Sequence, residues 1–406
     1  MNVQHPTADV PGHVPAELVV RFDYRNDPDL LADPTGILTS LAAGPEIVYS
    51  PELGGFWLPT RARLVEEVLA RHDLFSCRSI SIPPIERRTV AIPSALDPPE
   101  HGPMRKPISR MFSGRVVADL EPGIRVAARE LADRIVPAGR CLFVRDVARR
   151  LPIDAFLGLY GLPLSERDEF VSWVTGFFQG RDAEEIRRAH ERTEEYMERW
   201  VDEALRADRD PPGHILPALL DARVDGRSLE RAEMLSIAVT LVNAGLDTVT
   251  TAMTNVMAFL AGSPGHRRQL LESPALVPDA VDEMLRRFAV ASLAREVDHD
   301  MTYHGVEMRA GEMVLACTPL AGLDGERFAD PRTVDFHRDN EHRHRPFGAG
   351  PHLCPGAGLA RMELRVMLSE LLPRMPGLRL APGAQLRRRS GITLSITELP
   401  LEWDAP

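Results

Sequence analysis

The sequence predicts a mainly α-helical protein with a smaller β region. The stretch 228–260 is apolar over most of its length and predicts one helix, which at 1.5 Å per residue would span about 50 Å. Strand-like pieces are short, and they gather near residues 40–60, 295–316 and 376–403. Alone, these patterns predict a large α-rich globule and no particular fold.

The other elements follow from hydrophobic patterning and from start and stop signals. In chain order, the predicted helices are 62–71, 123–135, 165–178, 184–206, 278–287 and 357–372. The predicted strands are 46–49 and 56–58, a group near 301–316, and a C-terminal group within 378–403.

The stretch 228–260 is the clearest helix. Ser228 can cap its start, and a Gly-Ser-Pro-Gly sequence at 262–265 can end it. Residues 235–242 are nearly all apolar, so this part should be buried on most sides.

The middle of the same stretch departs from the pattern of a core helix. Gly245 costs roughly 1 kcal/mol relative to alanine, and Asp247 and Thr248 place polar groups where apolar ones are expected. Threonine hydroxyls can bond back to carbonyls one turn earlier and bend the axis. Local departures of this kind tend to mark functional sites.

Composition points to one large folded unit. The chain has 406 residues, 44% of them hydrophobic, and no linker, charge block or internal repeat divides it, so we expect a single domain over 1–406. Acidic residues outnumber basic ones, 59 to 48, which argues against general nucleic-acid binding. The N-terminal stretch has no apolar run long enough to cross a bilayer, and the four cysteines have no disulfide-framework spacing. We therefore expect a soluble, cytoplasmic protein.

The most specific motif is the window 347–356, Phe-Gly-Ala-Gly-Pro-His-Leu-Cys-Pro-Gly. Gly348 and Gly350 permit a backbone bend that side chains would not tolerate, and a helix start directly after Cys354 favours a thiolate. No second Cys or His stands at metal-cage spacing, which argues against structural zinc. A single thiolate on a glycine-rich loop suits an axial ligand of haem iron. The alternative is a buried apolar cysteine in a loop.

This window resembles the haem-thiolate loop of the bacterial soluble cytochrome P450 monooxygenases. Three other stretches are similar to motifs of that family and occur in the expected order: 97–101 (Asp-Pro-Pro-Glu-His) followed by Arg105, 244–248 (Ala-Gly-Leu-Asp-Thr), and 283–286 (Glu-Met-Leu-Arg). The resemblance covers roughly residues 40 to 400, and among family branches it is to camphor hydroxylase and related terpenoid or norisoprenoid hydroxylases. It implies the cytochrome P450 fold, a triangular helical prism around haem.

The resemblance also implies which residues hold the cofactor, heme b with its iron ligated by Cys354. The cofactor-binding residues would be His101, Arg105, Ala244, Gly245, Arg295, Phe347, His352, Cys354 and Gly356. Four of these, His101, Arg105, Arg295 and His352, would face the two propionates, since a buried carboxylate needs cationic partners. The alternative for His101 is a surface histidine.

Asp247 and Thr248 match the acid–alcohol pair of the family. Thr248 would hold dioxygen by a hydrogen bond, and Asp247 would relay protons from solvent. The alternative is a core threonine that bonds its own helix and an aspartate paired with an arginine. Glu283 and Arg286, with Arg338, would form a buried ion cluster with a structural role.

Candidate residues of the substrate pocket are Thr89, Thr240, Asn243, Ala291, Ile392 and Thr393. Asn243 lies one turn before Asp247 and could face either the haem or a neighbouring helix. Thr89 takes the place of the tyrosine that positions the ketone in camphor hydroxylase, and the small residues predict a roomier pocket. We expect a terpenoid or norisoprenoid with one polar group.

The function implied is hydroxylation of an unactivated C–H bond with O2 and electrons from a [2Fe–2S] ferredoxin, itself reduced by an NADH-dependent reductase. A basic face near the cysteine loop would attract that acidic partner: Lys106, Arg110, Arg343, Arg345, Arg361 and Arg365. The alternative is a random scatter of arginines. Alternative functions are a peroxide-driven peroxygenase and a haem-based sensor or carrier.

Overall fold

Helices predominate in the computed structural model, which describes residues 9–84, 90–179, 183–206, 212–339 and 344–405. The α-helices are α1 Pro28–Ala32, α2 Pro34–Ala42, α3 Ala62–Ala70, α4 His101–Met111, α5 Gly114–Ile135, α6 Arg150–Tyr160, α7 Arg167–Gln179, α8 Ala183–Arg206, α9 Ile215–Asp221, α10 Arg231–Gly262, α11 Pro264–Glu272, α12 Val277–Arg287, α13 Thr318–Ala321 and α14 Ala357–Leu371.

The strands form small sheets. They are β1 Ile47–Ser50, β2 Phe56–Pro59, β3 Phe75–Ser76, β4 Arg140–Leu142, β5 Arg223–Val224, β6 Arg227–Ser228, β7 Ser292–Val297, β8 Met301–Tyr303, β9 Val306–Met308, β10 Met313–Cys317, β11 Arg379–Leu380, β12 Arg387–Arg389, β13 Ser395–Glu398 and β14 Pro400–Glu402. The largest sheet has the order β1-β2-β10-β7-β3, with only β2 and β10 parallel. Strands β11, β14 and β4 form a second sheet, and β12–β13, β5–β6 and β8–β9 are two-stranded.

Helix α10 runs through the middle of the protein. It packs against α6 and α8 on one side and against β13 on another, and Ile237, Met253 and Leu260 are completely buried. Full burial of side chains of this size stabilises the fold by about 1.5–3 kcal/mol each. The helix is also long and apolar enough to cross a bilayer, but most of it is buried inside the protein, as in the core helix of a globular fold.

The start of α10 differs from the sequence prediction. Ser228 was expected to cap this helix, but it pairs with Arg223 in the β5–β6 hairpin. The cap is Glu230, whose backbone N–H donates to the Glu233 carboxylate at 2.7 Å, as in a capping box. The prediction of Ser228 as the cap was wrong because Asp225 and Gly226 have positive φ and turn the chain back before the helix begins.

Helix α5 begins at Gly114, nine residues before the predicted start at 123. Pro122 lies inside this helix, and it masked the first two turns because proline normally marks a helix boundary. Helix α14 packs along α5 and against α12. This layer supports the segment that carries Cys354 immediately before α14.

Candidate functional site

The loop before α14 presents Cys354 by a tight backbone turn. Gly348 and Gly350 have φ of 82° and 66°, and a Cβ at Gly350 would lie 2.6 Å from Ala70 Cα, so only glycine fits there. The backbone N–H of Cys354 donates to Phe347 O at 2.9 Å. The Phe347 ring lies under the guanidinium of Arg361, at 4.6 Å.

Cys354 is exposed, whereas Cys77, Cys141 and Cys317 are buried. Cys317 ends strand β10, where it accepts a hydrogen bond from Ser292 Oγ at 3.5 Å. Only Cys354 is therefore accessible to a planar group lying against the chain.

The helix after Cys354 begins at Ala357, as predicted, with Gly356 as its N-cap. The side chain of Cys354 is accessible, but protein atoms crowd around it, and this desolvation raises the pKa of its thiol. The backbone N–H groups of Gly356 and Ala357 lower that pKa, as does the charge of Arg105. The N–H groups at the helix start therefore act in the predicted direction, toward the thiolate, although the protein around the sulfur raises its pKa overall.

One face of α10 is accessible although the rest of the helix is buried. Ala244 and Gly245 are exposed, and Thr240, Asn243 and Thr248 are partly exposed. Positions 240, 244 and 248 lie one turn apart and form one stripe. A Cβ at Gly245 would meet no atom within 4 Å, so open space lies beside the helix there. Thr248 Oγ1 donates to Ala244 O at 3.0 Å, the back-bonding expected of a core threonine.

Asp247 is buried next to this stripe and is held from the β12–β13 region. Thr393 Oγ1 donates to Asp247 Oδ2 at 2.7 Å. Burial raises the pKa of Asp247, while the Thr393 hydrogen bond and the charges of Arg389 and Arg149 lower it. The sequence predicted Thr393 as a pocket residue and gave no sign that it would bond to an acid 146 residues away.

Four basic side chains converge beside the cysteine loop. The rings of His101 and His352 have centroids 4.1 Å apart, Arg295 is 2% exposed, and Arg105 donates to Leu353 O in the cysteine loop. Burial lowers the pKa of all four groups. The pKa of His352 falls to about 3, because repulsion from His101 and Arg295 adds to the effect of burial.

These basic groups have unused hydrogen-bonding capacity. His101 Nε2, Arg295 Nε and His352 Nε2 are buried and have no hydrogen-bond partner within the described residues. Unpaired buried polar atoms beside the guanidinium groups of Arg105 and Arg295 favour an anion that neutralises the two arginines. The residues present therefore fit haem, since its propionates would satisfy these donors and Cys354 would lie on one of its faces.

Asp97 is a part of this site to which the sequence assigned no role. It accepts from Ser76 Oγ and from Cys77 N, the latter at 2.9 Å. Possible ligand atoms of Cys77, Asp97 and His352 lie within 4.8 Å of one another, but the surrounding arginine and histidines disfavour a cation. The position of Asp97 at the start of the 97–101 motif is the signal in the sequence that could have identified this residue.

Glu283, Arg286 and Arg338 meet in one buried cluster. Arg286 donates twice to Glu283 at 2.8 Å, and Arg338 Nε donates to it at 3.2 Å. Arg286 also donates to Gly322 O and Thr333 O. The cluster ties α12 to the segment that leads toward Cys354.

The pocket candidates fall on two surfaces. Thr240 and Asn243 lie on the α10 stripe. The second surface is formed where Ala291 makes a β-bridge with Thr393 and the backbone N–H of Ser292 donates to Ile392 O at 2.8 Å. Thr89 lies outside the described residues.

The basic face near the cysteine loop is smaller than the sequence indicated. Arg361 pairs with Asp282 at 2.6 Å and Arg345 with Glu66 at 2.8 Å, so both charges are compensated within the chain. Lys106 and Arg110 are exposed on α4. Arg343 lies outside the described residues.

Comparisons with known proteins agree with this geometry. The family model described as "Cytochrome P450" matches residues 166–375. The chain is 34% identical over 409 residues to "Probable cytochrome P450 127A1" of Sinorhizobium fredii, covering 98% of this chain and 97% of the relative. It is 36% identical over 358 residues to "Mycinamicin IV hydroxylase/epoxidase" of Micromonospora griseorubida, covering 86% and 89%. The solved structure of cytochrome P450 CYP101C1 superposes with a TM-score of 0.90 at 32% identity, over 98% of this chain and 100% of that one.

Proposed function

This chain belongs to the cytochrome P450 family and is a haem-dependent monooxygenase, and from this premise we propose that it hydroxylates an unactivated C–H bond of a small apolar substrate. The proposed substrate class is a terpenoid or norisoprenoid, oxidised in the bacterial cytoplasm. The observation that carries the proposal is the accessible stripe on α10, which leaves open space beside Gly245 and next to the Asp247–Thr248 pair.

Haem bound through a cysteine thiolate supplies the centre that accepts electrons and activates oxygen. Cys354 is the proposed ligand because it is the accessible cysteine. His101, Arg105, Arg295 and His352 would hold the propionates. Arg105 and Arg295 would supply the positive charge, and burial of His101 and Arg295 fixes their positions, so the site is organised before the cofactor arrives.

Thr248 and Asp247 would handle protons. Thr248 Oγ1 already donates to a backbone carbonyl, so its lone pairs remain available to accept a hydrogen bond on the accessible face. Asp247 has a raised pKa, and a carboxyl whose pKa lies closer to neutrality exchanges protons more readily near pH 7. The pair therefore suits proton delivery without an open column of water.

The pocket would select a compact apolar molecule. Ala244, Gly245 and Ala291 leave room, Ile392 adds an apolar wall, and Thr240 and Asn243 offer hydrogen bonds to one polar group. The names of the relatives refer to different substrates, such as mycinamicin IV and nocardicin C, so this pocket and not family membership must decide the substrate.

We also propose that electrons come from a [2Fe–2S] ferredoxin reduced by an NADH-dependent reductase. Lys106 and Arg110 are exposed on α4, the helix that also carries His101 and Arg105. Positive charge here can steer an acidic partner to the side of the protein that carries Cys354.

The test is a screen of monoterpenes, norisoprenoids and fatty acids by the shift of the ferric haem spectrum that follows loss of an iron-bound water. Norisoprenoids or monoterpenes should give the largest shift, and the best binder should be hydroxylated with NADH, reductase and ferredoxin. A preference for fatty acids would contradict the substrate class. Turnover with hydrogen peroxide alone, at the rate given by the full electron-transfer system, would instead favour a peroxygenase.

A further inference from the structure

A second cavity lies away from the accessible stripe of α10. It has a volume of about 290 Å³, close to the lower end of ligand pockets, roughly 300 Å³. It is bounded by α2, the C-terminal half of α10, the end of α12 and the β12–β13 hairpin. None of the residues proposed to hold haem lines it.

The walls of this cavity are largely apolar. Its larger apolar side chains are Leu38, Phe259, Phe288, Leu323, Leu386, Leu394 and Ile396. Removing this much apolar surface from water favours an occupant with an apolar body.

Two arginines add positive charge to the same cavity. Arg287 donates to Arg332 O at 3.0 Å and to Thr35 Oγ1 at 3.1 Å. Arg388 donates to Leu31 O at 3.3 Å. These acceptors are neutral, so the hydrogen bonds do not compensate either guanidinium charge.

The remaining charge balance favours an anion. Asp33 is the acid that lines the cavity, and its carboxylate lies near Arg388. The same carboxylate caps α2 by accepting from the backbone N–H of Gly36 at 3.0 Å. Glu283 also attracts Arg287, but its carboxylate is already bonded by Arg286 and Arg338, so the two cavity arginines keep an excess of positive charge over Asp33. Burial lowers the pKa of Arg287 to about 10, with repulsion from Arg286 and Arg332, and a bound anion would relieve that repulsion.

We propose that this cavity binds a small amphipathic carboxylate, held at its charged end by Arg287 and Arg388 and along its apolar body by the surrounding aromatic and aliphatic side chains. Arginine suits this role because its planar group can bind both carboxylate oxygens. The site is separate from the proposed substrate pocket. The second cavity and the proposed substrate pocket share one stretch of backbone. There, the backbone N–H of Leu394, which lines the cavity, donates to Val290 O, and the adjacent Thr393 and Ala291 of the pocket form a β-bridge.

The test uses the haem-loaded enzyme with imidazole saturating the iron, so that ligation at the haem does not contribute. Octanoate, 1-octanol and inorganic phosphate are titrated by calorimetry. Octanoate should bind and phosphate should not, because phosphate lacks the apolar body. Phosphate binding as tight as that of octanoate, or no octanoate binding at millimolar concentration, would overturn the proposal.

Variants locate the binding. Arg388→Gln and Arg287→Gln should each weaken octanoate binding about tenfold or more, as expected for loss of a charge-assisted bond, and should leave 1-octanol binding almost unchanged. Ala258→Leu fills the cavity and should weaken both probes.

Matched controls are Arg309→Gln, an exposed arginine paired with Asp300, and Ala232→Leu, an exposed position on α10. Both should bind octanoate like the wild type. Octanoate binding that survives Arg388→Gln and Ala258→Leu would place the ligand elsewhere and refute the site. The iron-spectrum screen with substrates is a separate readout, so failure here leaves the monooxygenase proposal unaffected.

Discussion

At the residue scale, Thr248 and Asp247 have different surroundings although they are neighbours. Thr248 faces the accessible side of α10, whereas Asp247 is buried and bonded to Thr393. The helical period separates the two side chains by about 100°. One residue can therefore contact the bound oxidant while the other connects to the protein interior.

Replacing Thr248 by alanine should uncouple the enzyme. NADH oxidation should continue while product falls severalfold and hydrogen peroxide accumulates, because the hydroxyl that directs protons is gone. Product and peroxide are measured per NADH consumed. Thr250→Val is the control, since Thr250 is buried and donates to Ala148 O and Leu246 O. Coupling in Thr248→Ala equal to that of the wild type would contradict the assigned role.

Thr393 should act as a positioning residue for Asp247. The pKa of Asp247 is lowered by its hydrogen bond, so Thr393→Val should raise that pKa further and move the pH profile of coupling to higher pH. Thr393→Ser keeps the hydroxyl and should restore the wild-type profile. Product formed per NADH is measured from pH 6 to pH 9. A Thr393→Val profile that coincides with the wild type would show that the bond does not tune the acid.

Glu363 is a buried carboxyl on α14 whose Oε1 has no hydrogen-bond partner in the described structure. Burial raises its pKa from 4.5 to about 8. Between pH 4.5 and about pH 8, Glu363 loses its proton in the unfolded chain but keeps it in the folded protein. The free energy of unfolding therefore falls as pH rises through this window, by at most about 1.4 kcal/mol per pH unit, and levels off above pH 8.

Glu363→Gln should remove this fall in the free energy of unfolding. The difference in the free energy of unfolding between the variant and the wild type should therefore grow in favour of the variant from pH 5 to pH 8. Denaturant unfolding at several pH values measures it. Glu370→Gln on the same helix is the opposite case, since hydrogen bonds from Arg129 and Arg125 lower the pKa of Glu370. Its carboxylate stabilises the fold above its unfolded pKa, and that contribution is lost as pH falls through the lower folded value. A pH-independent difference between Glu363→Gln and the wild type would contradict a buried neutral acid.

At the element scale, the sequence predicted elements where pattern and local chemistry agree. Helix α14 and the bulk of α10 follow from apolar periodicity. The capping residue of α10 was missed because the chain first turns back in the β5–β6 hairpin. The first turns of α5 were missed because Pro122, normally a sign of a helix boundary, lies inside the helix. The motifs around Cys354 and Glu283 were identifiable because each combines unusual residue types at fixed spacing.

The candidate site was predictable only in part. Basic residues near the haem could be named from motifs, but the Thr393–Asp247 bond joins residues 146 positions apart, and no periodic pattern indicates such a pair. The compensation of Arg345 and Arg361 by acids was likewise invisible in the sequence.

The cluster of Glu283 with Arg286 and Arg338 should control whether the segment leading to Cys354 folds. Glu283→Ala leaves two cations without their acid and should destabilise the protein by about 3–5 kcal/mol. Haem content after purification should fall sharply, as measured by absorbance per protein. Asp202→Ala breaks an exposed ion pair with Arg231 and should cost less than about 1 kcal/mol. Wild-type haem occupancy in Glu283→Ala would refute the structural role.

At the scale of the whole molecule, the proposed site is built from three separated parts of the chain. The cysteine loop lies before α14, the accessible stripe lies at the middle of α10, and the basic groups come from α4, β7 and the same loop. The proposal gives the accessible stripe of the long central helix the role of one wall of this site. We propose that the whole chain acts as one domain around this site.

The central claim is that Cys354 ligates the haem iron, and the spectrum of the ferrous carbon monoxide complex tests it most directly. The wild type and Cys317→Ala should both show the strongly red-shifted Soret band of thiolate ligation. Cys354→Ala should lose that band even where haem remains bound. A red-shifted band that persists in Cys354→Ala, or that disappears in Cys317→Ala with haem retained, would contradict the assignment.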